Sequence, residues 1–461
     1  MPTTDTFTFR HTGEAWTNGA WLMQLAHYGL LRAGGPPLVV FVFGLVVAGG
    51  YLLLRRCLVS LSGDLRLATV LTIWAGVVGF QNWAVRPQGI SFLCFGLALW
   101  LIVRHRLRGG RWLWGLPPLF VLWSNAHGGF IFGLALVGCY ALAMIWEAVE
   151  WTPPARPTLA ATLRSLPWRN GLLPAPACLV APALNPAGPM GMVDYVLGFV
   201  RNRGTMTLNM EFRALTVENV TGGAFFLGVA ALATLFIRRR HRPDAFETPA
   251  LLLFGALALW AHRNPPWFAF VAAAAAARAV GVTRTAPPIQ AHGVTVANAL
   301  LLGLFGAALI LSLPWLRPYL PRNLTCGEIV HVYTPVEATD YLCEEMTGSD
   351  RLFNDMSYGS YIAWACPQVP VFVDTRFELY SYEEWLEYLA LMNARYDWQA
   401  ILDGYGITHL LLHPEDQEHL LAAARDSACW RERFTERAVV GEEEDEIAVV
   451  LERDAAACPL P

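Results

Sequence analysis

Residues 37–56 read PLVVFVFGLVVAGGYLLLRR, in which eighteen uncharged residues precede Arg55 and Arg56. A helix needs about 20 mostly apolar residues to cross a bilayer, and about 17 at the short end. We therefore predict a membrane-spanning helix over 37–54 that ends at this arginine pair. How often the pattern recurs along the chain decides the class of fold.

The same criterion predicts about ten spans in the chain of 461 residues. Composition agrees, because 55% of the residues are hydrophobic and only 15% are charged, whereas soluble domains carry about 25% charged residues. The mean hydropathy is +0.39. We predict a mainly α fold: a polytopic α-helical membrane bundle over 37–315, preceded by a segment over 1–36. The other predicted spans cover 67–85, 88–103, 112–124, 128–148, 171–184, 222–237, 249–262, 266–281 and 294–314.

Arginine clusters predict the orientation of the bundle, since cytoplasmic loops are enriched in Lys and Arg. The clusters follow the first, third, fifth and seventh predicted spans. With ten spans, the segment 1–36, the loop 185–221 and the region 316–461 then lie on the extracytoplasmic side. The clusters comprise Arg55, Arg56 and Arg66, then Arg104, Arg106, Arg108 and Arg111, then Arg156, Arg164 and Arg169, then Arg238, Arg239, Arg240 and Arg242.

The C-terminal region 316–461 has the pattern of a small α/β domain, because charged residues return there and short apolar runs alternate with helical ones. Such alternation predicts a small, largely parallel sheet. Two amphipathic stretches, 14–33 and 189–200, are typical of helices at a membrane interface. In the C-terminal domain we predict helices at 335–346, 381–404 and 415–426, and strands at 351–354, 369–373, 408–412, 434–440 and 446–452.

Charge and cysteine content exclude two classes of function. The net charge of −4, without a basic face, argues against nucleic-acid binding. The nine cysteines include no CxxC pair, so a zinc site is not expected. The C-terminal domain can form one or two disulfides if it is exported. We predict that four other cysteines pack among apolar residues: Cys57, Cys94, Cys139 and Cys178.

Polar residues at the outer ends of spans are the candidates for chemistry, because ionisable groups at a membrane edge are costly and often functional. Arg86 and Gln88 lie between the second and third spans, and Arg263 and Asn264 lie between the eighth and ninth. Two guanidinium groups on one face would form a clamp for a phosphate-bearing ligand. The alternative for Arg86 is that it extends to lipid headgroups as an ordinary interfacial residue.

Three further polar residues belong to the same outer layer. Asn125 and His127 lie in the run WSNAHGG at 123–129, and Asn185 begins the run NPAG at 185–188. These side chains would orient a substrate, or they would only terminate helices, since Asn and Gly are common cap residues.

Asp5 and Glu211 are the outer carboxylates that we single out. A carboxylate at the outer face would act as a general base or hold a divalent metal. The alternative for Asp5 is a charge in a disordered terminus, and for Glu211 a solvated charge in a loop.

The order of these motifs resembles that of bacterial GT-C superfamily membrane proteins, the multi-span glycosyltransferase-like group related to family 39 mannosyltransferases. The matching residues run through nearly the whole chain. They are Asp5-Thr6-Phe7-Thr8-Phe9, Gly13-Glu14-Ala15-Trp16, Trp21-Leu22, Arg86-Pro87, the run 123–129, Asn185-Pro186-Ala187-Gly188, Arg263-Asn264, Tyr358-Gly359-Ser360-Tyr361 and Asp374-Thr375-Arg376.

The resemblance implies a bacterial inner-membrane enzyme that transfers a hexosyl or pentosyl group, with inversion, from a polyprenyl-phosphate donor at the outer face. Its partners would be this donor and membrane lipids, while the acceptor and any divalent metal are left open. Members of the group usually carry an earlier span that ends in an acidic, Trp-rich motif, so we expect that the start at Met1 is late. The resemblance implies a base in the first outer segment, which in this sequence is Asp5, while Glu211 is the second candidate base from its place in the outer loop 185–221. We predict substrate binding by Arg86, Gln88, Asn125, His127, Asn185, Arg263 and Asn264.

Two other classes of function stay open. A transporter or lipid flippase should show internal repeats and helices broken near the midplane, and the sequence shows no convincing repeat. A non-catalytic membrane scaffold, whose outer domain binds a partner, would need no catalytic carboxylate.

Overall fold

The computed structural model describes residues 4–149, 166–201, 210–281, 296–316, 319, 331–440 and 443–460. Contacts divide the described residues into two compact units. The helical unit lies within 19–196 and 207–314, and the terminal unit lies within 1–18, 197–206 and 315–461. The three-part division at residues 36 and 315 stays a prediction, although residues 4–18 group by contact with the C-terminal region.

Among the described residues, eleven α-helices precede the C-terminal domain, and each predicted span overlaps one of them. The helix predicted at 189–200 is also present, as α7. The mainly helical character of the chain is therefore confirmed. The helices are α1 (Trp21–Ser62), α2 (Leu65–Gly79), α3 (Ile90–Arg108), α4 (Leu116–Ala126), α5 (Phe130–Ala148), α6 (Pro174–Val180), α7 (Gly188–Arg201), α8 (Val220–Arg239), α9 (Glu247–Trp260), α10 (Pro265–Gly281) and α11 (Val296–Leu311).

Helix α1 consists of two helical stretches separated by a break at Gly34 and Gly35. Gly35 has a φ of 68°, a left-handed conformation that glycine adopts without a Cβ clash. Pro36 then begins the second stretch, where its fixed φ suits a first helical turn. The first stretch corresponds to the amphipathic helix predicted at 14–33, and the second contains the predicted span at 37–54.

Four of the described helices are long and apolar enough to cross a membrane by length and composition. Two others, Glu247–Trp260 and Asn298–Leu311, are apolar but shorter. The chain is therefore a helical membrane protein, and the total of ten spans stays a prediction. The four long helices are Trp21–Ser62, Pro87–Arg108, Phe130–Ala148 and Val220–Arg239.

Helices α1 and α3 approach closely because glycines lie where they cross. A Cβ on Gly50 would lie 2.5 Å from the carbonyl oxygen of Phe92, and one on Gly96 would lie 2.7 Å from the carbonyl oxygen of Gly50. Small residues allow this backbone approach between membrane helices, where burial of apolar surface from water is not the driving force. The four cysteines predicted to pack among apolar residues are buried and free, as expected: Cys57, Cys94, Cys139 and Cys178.

The terminal unit contains a four-stranded sheet in the order β1-β2-β4-β3. The pair β1–β2 is parallel, whereas β2–β4 and β3–β4 are antiparallel. The prediction of a largely parallel sheet is therefore wrong, because the last two strands form a hairpin and hairpin partners pair antiparallel. The strands are β1 (Leu352–Asn354), β2 (His409–Leu412), β3 (Trp430–Val440) and β4 (Glu443–Arg453).

In the part of this domain that the structure describes, five helices accompany the sheet, and they follow the predicted pattern with one difference. The helix predicted at 381–404 is two helices, separated where Ala394 and Tyr396 have positive φ. Two disulfides, Cys343–Cys366 and Cys429–Cys458, link residues of this domain; Cys326 lies outside the described residues. The helices are α12 (Val336–Glu345), α13 (Met356–Ala365), α14 (Tyr382–Met392), α15 (Trp398–Gly404) and α16 (Glu418–Asp426).

The predicted strand at 369–373 is wrong. Val371 makes one isolated parallel bridge, to Thr8 of the N-terminal segment. The Asn354 side chain at the end of β1 takes the place of a strand partner: its Oδ1 accepts from the Phe372 N–H at 2.8 Å, and its Nδ2 donates to the Val373 carbonyl at 2.8 Å. A largely buried apolar run is thus hydrogen-bonded to Asn354 and to the N-terminal segment without joining the sheet.

The N-terminal segment 4–18 packs against the C-terminal domain. Asp5 is fully buried and pairs with Arg376 at 2.7 Å. Arg10 donates to Glu384 at 2.9 Å, and its guanidinium lies 4.4 Å from the centroid of the Phe372 ring. Ion pairs at Asp5 and Arg10, together with the cation–π contact of Arg10, therefore attach the segment to the C-terminal domain.

Candidate functional site

Arg86 and Gln88, two of the predicted site residues, lie at a short 3-10 turn just before α3. Arg86 is extended, with φ −142° and ψ 159°, and Pro87 opens the turn Pro87–Gly89. Gln88 donates from Nε2 to the carbonyl oxygen of Asn82 at 3.3 Å. The Arg86 side chain is 56% exposed, so its guanidinium stands at the surface of the unit.

Glu211 links Arg86 to Arg263, the two residues that the sequence predicts as an anion clamp. Its Oε1 contacts Arg86 Nη1, and its Oε2 lies 3.6 Å from Arg263 Nη1. The Arg263 backbone N–H also donates to the Glu211 carbonyl at 3.2 Å, which fixes the turn Met210–Phe212 beside the second arginine. Two guanidinium groups therefore converge on a space that holds one carboxylate.

A small pocket lies beside Arg263. Its wall is aromatic: the Trp267 ring stacks on Phe132 with centroids 5.4 Å apart and lies 5.4 Å from Phe92. A few polar groups over an apolar wall are the usual composition of a ligand site. The lining residues are Asn82, Gln88, Phe92, His127, Phe132, Arg263 and Trp267.

His127 follows α4 and contributes its imidazole to this pocket. Its Nδ1 accepts from the Gly129 N–H at 3.0 Å and lies 2.8 Å from the Ser91 hydroxyl. Since Nδ1 is the acceptor, the proton of the neutral ring is on Nε2. Burial, and next the positive charge of Arg263, lower the pKa of His127. The residue is therefore a neutral hydrogen-bond donor at physiological pH.

Each of the three candidate asparagines donates a side-chain hydrogen bond to a backbone carbonyl oxygen. Asn185 donates to the Ser124 carbonyl at 3.1 Å, and Asn264 donates to the Leu257 carbonyl at 2.9 Å. Asn125 donates to the Val121 carbonyl and accepts from Trp21 Nε1, both at 2.8 Å. The contacts of Asn125 and Asn185 agree with the helix-terminating alternative that was left open for these two residues. Their predicted role in substrate binding stays a prediction.

Asp5, the other predicted catalytic carboxylate, belongs to the terminal unit. Its oxygens accept from the Phe7 N–H, the Thr8 N–H and the Thr8 hydroxyl, in addition to the pair with Arg376. Every oxygen is thus engaged within that unit. Five predicted site residues come together in the helical unit: Arg86, Gln88, His127, Glu211 and Arg263.

Sequence reasoning missed most of the pocket wall, and it missed Tyr195, which packs beside the His127 loop. Tyr195 lies on α7, against Gly19 and Gly128, where a Cβ would meet its ring. Side chains separated by so many residues leave no periodic signal in a single sequence. The paired Gly128-Gly129 was the available clue, since glycine permits close approach of a neighbour.

Gly128→Ala is expected to destabilise the helical unit by roughly 1–3 kcal/mol, because the new methyl group would clash with the Tyr195 hydroxyl and overpacking forces such shifts. Thermal unfolding of the full-length protein in detergent measures the effect. The control is Gly138→Ala on α5, which has no atom within 4 Å of its added Cβ. Equal melting temperatures for the two variants would contradict the packing of Tyr195 on this loop.

Within the described ranges, no group of three or more His, Cys, Asp or Glu side chains is placed to hold a metal ion. Of the two predicted carboxylates, Glu211 lies near the pocket, because it contacts Arg263, which lines the pocket. The divalent metal that the sequence leaves open is therefore not assigned to any residues.

Comparison with solved structures shows a likeness in fold between this chain and a membrane oligosaccharyltransferase. No protein-family model matches the chain, and no curated protein matches it. The resemblance to the GT-C superfamily is thus supported at the level of fold, while the relation to family 39 and a bacterial origin stay predictions.

Two of the solved structures that match are those of an archaeal oligosaccharyltransferase. The apo enzyme of Archaeoglobus fulgidus matches with a TM-score of 0.51 and 13% identity, over 90% of this chain and 63% of that one. AglB from the same organism, in complex with an inhibitory peptide and a dolichol-phosphate, matches with a TM-score of 0.53 and 12% identity, over 96% and 68%. The chain therefore spans about two thirds of their length, and the likeness shows the fold.

Proposed function

We propose that the protein is a membrane glycosyltransferase that takes a sugar from a polyprenyl-phosphate donor and binds the donor phosphate between Arg86 and Arg263. The convergence of these two guanidinium groups on one carboxylate carries the proposal. The N–H groups of a guanidinium can donate paired hydrogen bonds to the oxygens of a phosphate as well as to those of a carboxylate. The dolichol-phosphate bound to the archaeal AglB supports a lipid-linked donor.

The site is proposed to face the outside of the cell. The arginine clusters that follow alternate spans support this orientation, because basic residues are enriched in cytoplasmic loops. The disulfides Cys343–Cys366 and Cys429–Cys458 support an exported terminal domain, since disulfides persist in oxidising compartments. The donor would therefore be used after it reaches the outer leaflet.

Transfer would proceed in one displacement. The acceptor hydroxyl oxygen bonds to the anomeric carbon while the bond from that carbon to the phosphate oxygen breaks, and the phosphate leaves with the electron pair. Glu211 takes the hydroxyl proton as general base. Arg86 and Arg263 stabilise the charge that grows on the phosphate, and His127 donates from Nε2 to an oxygen of the donor. One displacement inverts the anomeric configuration.

A non-catalytic scaffold that binds the lipid is the second candidate. It is favoured by the burial of Asp5, which is 0% exposed and paired with Arg376, because this candidate base is engaged elsewhere. Incubation with a labelled polyprenyl-phosphate sugar separates the two functions. An enzyme releases free polyprenyl phosphate when acceptor is added, whereas a scaffold retains the intact donor.

Arg86→Ala and Arg263→Ala are each expected to weaken retention of a polyprenyl phosphate by roughly tenfold to a hundredfold. The reason is that a hydrogen bond to a charged group contributes about 1.5–3 kcal/mol. Native mass spectrometry of the purified full-length protein, with increasing lipid, measures the bound fraction for the wild type and both variants.

Arg108→Ala is the matched control, because Arg108 is exposed at the opposite end of α3 from Arg86. It should retain lipid like the wild type. The polyprenol without phosphate should be retained poorly by all four proteins. If the wild type binds the phosphate and the alcohol equally, or if neither arginine variant loses lipid, the phosphate site between Arg86 and Arg263 is wrong.

A further inference from the structure

The phosphate position of the proposed site is filled by a side chain of the protein itself. We propose that Glu211 is a built-in competitor for the donor: it occupies the space between Arg86 and Arg263, and the donor phosphate binds by displacing it. This inference rests on the proposed function and adds a step to it. The ligand it concerns is a phosphate ester on a lipid.

The geometry makes occupancy by Glu211 and by phosphate mutually exclusive. Both carboxylate oxygens are used, one on Arg86 Nη1 and the other on Arg263 Nη1 at 3.6 Å. A phosphate that took the same two nitrogens would lie in contact with the carboxylate. Like charges at such separations repel strongly, and more so near an apolar wall than in water.

The carboxylate is held weakly enough to be displaced. The side chains of Arg86, Glu211 and Arg263 are 56%, 35% and 25% exposed. Ion pairs with this much solvent contact contribute little net free energy, because water screens them and because pairing costs the side chains conformational freedom. A phosphate ester whose lipid tail is anchored in the bilayer can therefore replace Glu211.

Displacement would leave the carboxylate close to the reacting groups. The turn Met210–Phe212 stays attached through its backbone, since the Arg263 N–H donates to the Glu211 carbonyl at 3.2 Å. A released Glu211 side chain is then free to accept the proton of the acceptor hydroxyl. Donor binding and availability of the base become coupled, so the base is masked while the donor is absent.

The test compares the affinity of farnesyl phosphate for the full-length wild type, Glu211→Gln and Glu211→Asp in nanodiscs. Glu211→Gln keeps the shape and removes the charge, so it is expected to bind roughly three to ten times more tightly, as a site does when a competing state is removed. Glu211→Asp keeps the charge and should bind within about twofold of the wild type. Farnesol, which lacks the phosphate, should show no gain in Glu211→Gln.

Each outcome decides one point. If Glu211→Gln binds farnesyl phosphate no better than the wild type while Arg86→Ala and Arg263→Ala still bind it less well, the competitor role is wrong and the phosphate site stands. If neither arginine matters, the proposed function fails as well. A gain for farnesol equal to that for farnesyl phosphate also overturns the inference. Inorganic phosphate that binds as tightly as farnesyl phosphate would identify free phosphate, rather than a lipid headgroup, as the ligand.

Instability of Glu211→Gln would not leave the inference undecided. Arg86→Gln combined with Glu211→Gln removes one charge of each sign, so this double variant leaves no new uncompensated charge at the pair. If Glu211 competes with phosphate at Arg263, the double variant should bind farnesyl phosphate more tightly than Arg86→Gln alone. Equal affinity of the two would contradict the inference.

Discussion

Arg376→Ala is expected to lower the free energy of unfolding of the terminal unit by roughly 3–5 kcal/mol, because it leaves two buried carboxylates without their charged partner. Arg376 lies 2.7 Å from Asp5 and 2.5 Å from Asp374. Asp5 is 0% exposed and Asp374 is 3% exposed, so water cannot replace the guanidinium unless the structure opens. The stacking of Arg376 over the Trp16 ring, at 4.9 Å, is lost as well.

Hydrogen exchange in increasing urea, on the full-length protein, measures this loss at the backbone amides of residues 5–13. The matched control is Arg395→Ala, since Arg395 is an exposed arginine of the same unit; such surface changes alter stability by no more than about 0.5 kcal/mol. Protection in Arg376→Ala equal to that of the control would show that hydrogen bonds from Thr8 and the backbone suffice for Asp5. The role assigned to Arg376 would then be wrong.

The environment of Asp5 makes it a structural anion in this conformation. Burial by itself raises the pKa of its carboxyl, but hydrogen bonds from Thr8 and Arg376 and the charge of Arg376 outweigh burial and hold the pKa below its usual range. Asp5 is therefore ionised at neutral pH and fully engaged. The catalytic role predicted for it would require the segment 4–18 to leave its present contacts.

Hydropathy predicted the helical unit well because a membrane helix carries its own signal: a long apolar run with charge at its ends. The sheet was predicted less well because strand order is set by contacts between distant residues. The run at 369–373 shows the limit of local patterns. Most of it is apolar and buried, yet the Asn354 side chain bonds its backbone at Phe372 and Val373. Pro370 was the one local signal against a strand, because proline has no N–H to donate to a sheet.

The candidate site, like the fold, has features that the sequence predicted and features that depend on contacts between distant residues. The chemistry of guanidinium groups at a membrane edge singled out Arg86 and Arg263, which the structure joins through Glu211. The sequence could not show this joining, because Glu211 is 125 residues from Arg86. Nor could it show Trp267 and Phe132 as a pocket wall, since aromatic residues are frequent throughout the chain. Residue type predicted the candidates, and only the fold shows which of them meet.

Gly50→Leu is expected to prevent correct assembly of the helical unit. A Cβ at Gly50 would lie 2.5 Å from the Phe92 carbonyl oxygen and 2.9 Å from the Leu93 nitrogen. These are backbone atoms inside α3, so they cannot move aside as the end of a side chain can. Overpacking costs about 1–3 kcal/mol where side chains can adjust, and the cost is larger where two helices must separate. The fraction of monodisperse protein in detergent should therefore fall severalfold.

Gly44→Leu is the matched control, because Gly44 lies on the same helix and has no atom within 4 Å of its added Cβ. It should give the yield and melting temperature of the wild type. Separation of α1 from α3 would also shift Arg86, which lies just before α3, away from Glu211. Any folded Gly50→Leu protein should consequently retain less polyprenyl phosphate than Gly44→Leu. A monodisperse Gly50→Leu variant with normal lipid retention would contradict both the tight crossing and its part in positioning the phosphate site.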